Sequence, residues 1–270
     1  RRDQGSCQIA RGREIMGSTS QGAMLFTRGI ELYQWQRDAL EAWSESEGRG
    51  TLKVVTGAGK TVLGLSVIER LSSNNPELRV AIVVPTIVLM QQWAKEFEEK
   101  GNLAPHSIGL AGGNRKASYL NGTKIIIWVL ATASKKLAND VAEADVGDDL
   151  LLIVDECHRA GAAVMSRIFR TSRRWSLGLS ATPERNEDID ESGEDEEQVL
   201  LDDGPVPDLE YSKTPLGKEL GPIVYELSLR RAIDLGVLPS FDVRHYGLAL
   251  ERPERAKYDS LSHSITDARK

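Results

Sequence analysis

Cysteine is nearly absent from this 270-residue chain, with only Cys7 and Cys157. One lies in a polar leader and the other in an acidic turn, so no disulfide framework is available. No Cys/His grouping has the spacing of a structural metal site. Long hydrophobic runs are missing too: nothing approaches the roughly 20 apolar residues that a membrane span requires. The first residues are arginine-rich and polar, without the apolar core of a secretory leader. No internal repeat is visible. These absences exclude a disulfide scaffold, a spanning protein and a repeat array. They leave one large α/β domain with appendages, expected inside the cell, cytoplasmic in a bacterium or archaeon, or nuclear. The sequence opens on Arg1 rather than methionine, and residues 1–23 are rich in Gly, Ser, Arg and Gln. They are expected to be a weakly ordered leader or a trimmed extension.

The net charge of −6 is unevenly spread. Residues 184–210 hold thirteen acids against the single base Arg185, a local charge of −12, and the remainder is therefore +6. The run from Glu187 to Glu197 has almost no apolar content and is expected to be a disordered insertion. Two roles fit it: a solvated surface loop, or a tethered polyanion competing with phosphates for the mildly basic body.

What is present is more specific. Thr51–Val55 has the composition of a short strand. Thr56-Gly57-Ala58-Gly59 follows as a turn of small residues, and Lys60-Thr61 opens an apolar helical pattern through Val62, Leu63, Leu65, Val67, Ile68 and Leu71. Strand, glycine loop and helix N-terminus make a phosphate cradle of backbone N–H groups and helix dipole. Lys60 would reach the β- and γ-phosphates of ATP, and the Thr61 hydroxyl would hold Mg²⁺. The strict phosphate-loop pattern asks for glycine where Val54 stands, so only the TGxGKT form fits. A second string, Leu150–Val154, is a continuous apolar run, as expected of a strand covered on both faces. Asp155 and Glu156 close it at the end where open α/β sheets bind ligands. Asp155 suits Mg²⁺, and Glu156 suits orienting and deprotonating a water. A third string, Ser180-Ala181-Thr182, follows the apolar run Trp175–Leu179. Its hydroxyls are placed to report nucleotide state to the turn ending at His158.

TGAGKT, DECH and SAT, in this order, resemble motifs I, II and III of the superfamily 2 helicases and translocases. The resemblance covers roughly residues 32–250 and is to the first of that family's two RecA-like motor domains. It implies an ATP- and Mg²⁺-dependent motor acting on nucleic acid, with Lys60, Asp155, Glu156 and His158 as catalytic residues. It also implies that Leu32–Leu40 is the upstream glutamine motif, in which Gln36 reads the adenine edge and Trp35 anchors the segment. Trp35 equally fits the apolar stripe of a helix with Leu40 and Trp43. Pro85-Thr86 resembles motif Ia, continued by Gln92 on a helix. Gly113 matches the family's glycine pair, and Thr132 its motif Ib. By resemblance these residues contact the nucleic-acid backbone, positioning it without reading bases. Residues 220–239 resemble the stretch after motif III in the branch of XPB-like repair helicases and type I or III restriction motors. That stretch favours DNA over RNA as partner.

The expected architecture is a doubly wound parallel RecA-like P-loop NTPase sheet with helices on both faces. Strands are expected at Thr51–Val55, Arg79–Val84, His106–Leu110, Lys124–Val129, Leu150–Val154 and Ser176–Ser180. The expected organisation is a leader (1–23), motor domain 1 (24–183), the acidic insertion (184–210), the end of domain 1 (211–240), and the start of a second motor domain (241–270). In that last part Phe241–Leu250 alternates like a strand and Glu251–Ser264 suits a helix. Superfamily 2 motors place ATP between two such domains, the second bringing arginine fingers, so this chain alone is expected to turn over very slowly. Besides the DNA helicase or translocase, two readings stay open: the motor subunit of a restriction or phage-defence complex, and a non-enzymatic ATP-binding signalling or scaffold module.

Overall fold

The computed structural model describes residues 30–100, 107–156, 166–183 and 211–241, with Arg255, Lys257, Tyr258 and Ser260. The leader, the acidic insertion, His158 and most of residues 242–270 lie outside the described residues. The chain divides into two compact units, Arg1–Leu238 and Pro239–Lys270. In the second, the four described residues between 255 and 260 are helical, within the segment where the sequence suggests a helix.

The first unit is built on an eight-stranded sheet. In chain order its strands are β1 (Arg49–Val54), β2 (Arg79–Val84), β3 (Ile108–Gly112), β4 (Arg115–Lys116), β5 (Ile125–Val129), β6 (Leu150–Asp155), β7 (Trp175–Ser180) and β8 (Ile223–Leu227). Their spatial order is β4-β3-β5-β2-β6-β7-β1-β8. Every pairing is parallel except the short antiparallel pair β3–β4 at one edge. Among the described residues, the helices with described bounds are α1 (Gln34–Glu45), α2 (Lys60–Asn74), α3 (Ile87–Lys100), α4 (Leu130–Glu143), α5 (Pro215–Leu220) and α6 (Leu229–Asp234).

Side-chain alternation along the strands divides the core into two layers. Val80, Ile82 and Val84 of β2 enter one cluster, with Trp35 and Trp43 of α1, Leu63 of α2, and Met90, Trp93 and Phe97 of α3. Ala81 and Val83 enter the other, with Leu137 and Val141 of α4 and Leu216 and Leu220 of α5. A period of two thus buries both faces under helices, which is why β6 shows no polar residue before Asp155. All six of its residues are buried. The doubly wound RecA-like expectation holds, with one antiparallel edge strand added.

Several boundaries moved. β1 begins two residues before the expected Thr51 and ends at Val54. β3 runs to Gly112 rather than Leu110, because a hairpin through Gly113 and Asn114 pairs Gly112 with Arg115 and prolongs the ladder. Gly109 lets that hairpin close, since a Cβ there would lie 2.5 Å from the Ala117 Cβ. Two strands were not expected at all. β4 is only two residues long, and β8 is a half-buried edge strand whose sequence IVYEL gives neither a long apolar run nor clean alternation. β8 pairs with β1, so residues 211–238 extend the same sheet that the motifs build.

Candidate nucleotide and nucleic-acid site

Because β3, β5, β2, β6, β7 and β1 are mutually parallel, their carboxyl ends form one continuous rim. The three chemical strings come together on its right half, at the ends of the adjacent strands β6, β7 and β1. Asp155 lies opposite Leu179, and Ser180 lies opposite Lys53.

β1 stops at Val54, and the loop to α2 turns on Gly57 (φ 87°) and Gly59 (φ 102°), both left-handed, where a side chain would be strained. Thr56 and Gly57 are exposed, Ala58 is buried, and Gly59, Lys60 and Thr61 are half-buried. Lys60 Nζ donates to the Val54 carbonyl at 3.3 Å, and it pairs with Glu156 Oε1 at 3.3 Å. The lysine therefore spans from its own strand end to that of β6, passing the end of β7. Glu156 itself sits at φ 50°, unusual for a residue with a Cβ and a common mark of functional turns.

Asp155 is 7% exposed. Its Oδ2 accepts a hydrogen bond from Trp93 Nε1 at 2.8 Å, and its Oδ1 accepts one from the Glu156 amide at 3.0 Å. Burial raises the carboxyl pKa above its ordinary 3.8, and the Glu156 charge adds to the rise. The Trp93 hydrogen bond, the Lys60 charge and the Glu156 amide oppose it. Ser180 is fully buried, and its hydroxyl accepts from the Thr182 amide at 3.1 Å, shaping the turn after β7. Gln36 reaches the glycine loop from α1. It is 3% exposed, its Oε1 accepts from the Tyr33 amide at 3.0 Å, and its Nε2 lies 3.3 Å from where a Cβ on Gly59 would stand. Trp35 instead lies in the core, 3% exposed, with its ring stacked on Tyr225 at 6.4 Å. Of the two roles the sequence allowed, its placement is that of the helix stripe.

The donor set suits Mg-ATP. Thr61 and Asp155 offer only hard oxygens, and Mg²⁺ is commonly held by one or two protein oxygens plus phosphates rather than by a full protein cage. Among the described residues there is no group of three or more His, Cys, Asp or Glu that could hold a metal.

The left half of the rim carries the other set of expected residues. Pro85 and Thr86 follow β2, and the exposed Thr86 caps α3 by accepting from the Leu89 amide at 3.3 Å. Gln92 is exposed further along α3. Gly113 (φ 59°) follows β3, and a Cβ there would lie 3.5 Å from Ile87 Cδ1, so the turn after β3 meets the start of α3. Thr132, in the first turn of α4 after β5, lines a cleft with Arg115, Lys116, Ser118, Lys136 and Asp140. Asp140 is engaged by Ser118 and by the Tyr119 amide. Among the described residues, no ion pair joins Arg115, Lys116 or Lys136 to a carboxylate. The sequence did not point to this basic cleft, since its cations come from a hairpin and a helix twenty residues apart.

A doubly wound parallel sheet with a glycine loop at a helix N-terminus and an acidic pair two strands away defines a RecA-like P-loop domain of the superfamily 2 type. The family model described as "Type III restriction enzyme, res subunit" matches residues 29–185, and the chain belongs to that family. A DNA 3'-5' translocase XPB2 of Sulfurisphaera tokodaii is 29% identical over 242 residues, covering 88% of this chain and 45% of the relative. A DNA 3'-5' helicase XPB of Kineococcus radiotolerans is 26% identical over 155 residues, covering 57% and 26%. The chain thus spans less than half the length of these relatives. Among solved structures, a nuclease-deletion mutant of the type ISP restriction-modification enzyme LlaGI, in complex with a DNA substrate mimic, is similar in fold. Its TM-score is 0.53 at 17% identity, over 77% of this chain and 21% of that one.

Proposed function

We propose that this chain is the first motor half of an ATP-dependent DNA translocase or helicase. The observation that supports the reading is the order of the rim: the residues assigned to nucleotide follow or lie at the ends of β6, β7 and β1, and those assigned to nucleic acid follow the neighbouring β3, β5 and β2. Lys60 would hold the β/γ-phosphates, and Thr61 and Asp155 would hold Mg²⁺. Gln36 reads the adenine edge, with Thr56, Gly57, Ala58 and Gly59 around the phosphates and Trp35 supporting α1 from the core. Mg-ATP, when bound, would supply the phosphoryl group that passes to water, and the metal would neutralise charge developing on the ADP leaving group. Glu156 orients the attacking water and accepts its proton, which requires that Lys60 first release it. Ser180 and Thr182, with His158, relay the state of the β6 turn. Pro85, Thr86, Gln92, Gly113 and Thr132 position the DNA backbone, with RNA the less favoured partner. A second RecA-like domain, in the same protein or in trans, would bring an arginine to the phosphates, and without it turnover is very slow. The machine works inside the cell, and among the described residues no helix is long and apolar enough to cross a membrane.

The domain boundaries that go with this reading are motor domain 1 over 24–183, the insertion 184–210, the closing segment 211–240 and a second domain beginning near 241. A restriction or phage-defence motor subunit is the second reading, favoured by the description of the matching family. The module would then work beside a nuclease. Intact Lys60, Asp155 and Glu156 speak against a non-enzymatic scaffold. The test is DNA-stimulated ATP hydrolysis by full-length protein carrying both motor domains, with and without Lys60→Ala. DNA stimulation that disappears in the variant is expected. Hydrolysis indifferent to both DNA and Lys60 overturns the motor reading.

A further inference from the structure

The nucleotide reading assigns no role to the side chain that holds the metal carboxylate. Trp93, in the second turn of α3, is 1% exposed, and its indole N–H donates to Asp155 Oδ2 at 2.8 Å. The other carboxylate oxygen takes the Glu156 amide at 3.0 Å. Both oxygens of Asp155 are thus fixed by N–H donors, one from its own turn and one from a different helix. The indole offers a donor and no acceptor, so it favours the ionised carboxylate that a cation needs.

The rest of the ring is wedged between elements of the rim. A Cβ on Gly64 of α2 would lie 2.6 Å from Trp93 Cη2, so the ring presses on the helix whose first turn carries Lys60 and Thr61. Phe97 lies beside it, at 6.1 Å between ring centroids. By contrast, Trp43 spends its indole N–H on the backbone carbonyl of Ser176, a purely structural anchor. Trp93 meets a titratable group at the site itself.

We propose that Trp93 is a positioning residue for magnesium: it fixes the Asp155 carboxylate in the orientation that receives the ion, and it ties that carboxylate to α2 and α3. This rests on the reading of Thr61 and Asp155 as the metal-holding pair. A hydrogen-bond partner behind a metal ligand sets that ligand's orientation and basicity, and its loss costs about 10–100-fold in metal affinity.

The test is a Mg²⁺ titration of the ADP complex of the protein, followed with a fluorescent ADP analogue. Trp93→Phe keeps most of the ring and deletes the N–H. Its affinity for the analogue in EDTA is expected within about twofold of wild type, while its apparent Mg²⁺ affinity falls about 10–100-fold. Phe97→Leu perturbs the same core without touching Asp155 and is expected to leave the Mg²⁺ titration unchanged. A second readout needs no variant to fold for the comparison: the Trp93 indole resonance in ¹⁵N-edited spectra of wild-type protein is expected to shift when Mg²⁺ is added to the ADP complex. A Trp93→Phe protein that titrates Mg²⁺ like wild type, or a wild-type indole resonance indifferent to Mg²⁺, overturns the proposal. Wild-type protein that binds the analogue with no Mg²⁺ dependence at all overturns the metal-site reading itself, and the role of Trp93 with it.

Discussion

Glu156→Gln separates the resting state of the site from its chemistry. In the structure Lys60 is held by Glu156 at 3.3 Å, with side-chain exposures of 10% and 19%. A nucleotide that needs Lys60 must break that pair. At an effective dielectric of about 20, the gross attraction at this distance is about 5 kcal/mol. Desolvation and the competing Val54 carbonyl remove most of it, leaving a net worth of about 1 kcal/mol, near the upper range of solvent-accessible pairs. Removing the pair should therefore tighten nucleotide binding about fivefold, whereas losing the base should slow hydrolysis by about 10²–10⁴. Part of any tightening comes from deleting a negative charge near the phosphates, whatever Lys60 does. A double-mutant cycle separates the two: in the Lys60→Ala background the ion-pair share of the gain disappears. The assay is titration of a fluorescent ATP analogue into all four proteins, with phosphate release measured in parallel. Equal gains from Glu156→Gln with and without Lys60 would show that the pair does not gate the nucleotide, and unchanged turnover would remove Glu156 from the base role.

Lys60→Ala alone should abolish phosphate-dependent binding of Mg-ATP, seen as loss of the analogue's affinity difference between nucleotide and nucleoside; retained discrimination would unseat the glycine loop. Asp155→Asn should change melting temperature with pH differently from wild type in metal-free protein. The native carboxyl pKa lies above its unfolded value of 3.8, so the wild-type folded state binds more protons and loses stability as pH rises through that window. The Asn amide meets one N–H donor of Trp93 or Glu156 at every pH, so the prediction concerns only the trend: the variant's melting temperature relative to wild type should rise as pH rises above about 4, and a flat difference across pH would refute it. Lys136→Glu, at the basic cleft, should weaken DNA binding and lower the slope of log affinity against log salt by about one or more, while leaving affinity for the nucleotide analogue unchanged. An unaltered slope would place the DNA elsewhere.

The central strands were legible because burial on both faces leaves an unmistakable signature: LLLIV before Asp155 admits no polar side chain, so the acidic pair could be placed at a strand end from sequence alone. The same logic fails at the edges. β8 faces solvent on part of its surface, so its mixed sequence carries no run, and β3 was set two residues too early because a hairpin pairing, not hydrophobicity, decides where it ends. Within the candidate site, residues that neighbour one another in a string, such as Lys60 with Thr61 and Asp155 with Glu156, could be placed at strand ends from sequence. Contacts between distant strings could not be read that way. Trp93 and Asp155 are 62 positions apart, and no local pattern announces an indole aimed at a carboxylate. For Trp35 the helical spacing already offered the core as an alternative, and the partly buried Tyr225 of the unforeseen β8 is what it stacks on.

The sheet order also locates where the two halves of the rim can influence each other. The residues assigned to nucleotide end at β6 and those assigned to nucleic acid begin at β2, and these strands are direct neighbours, with Val83 opposite Val154. Just past that pair the backbone continues on one side to Asp155 and on the other to Pro85, Thr86 and α3. Packed strands and helices of this kind shift as rigid bodies rather than deforming continuously. A displacement of α3 by DNA at its Thr86 end must therefore move Trp93 about two turns further along, roughly 10 Å away on an α-helix. Because the indole holds one oxygen of Asp155, such a displacement reaches the metal carboxylate through a single hydrogen bond. By reciprocity of binding free energies, a nucleotide that fixes Asp155 must bias α3 by the same amount. The Trp93→Phe protein should consequently lose part of the effect of DNA on nucleotide affinity even where DNA binding itself is intact. If the ratio of nucleotide affinities with and without DNA is the same in the variant as in wild type, the coupling runs through the Ser180–Thr182 turn instead.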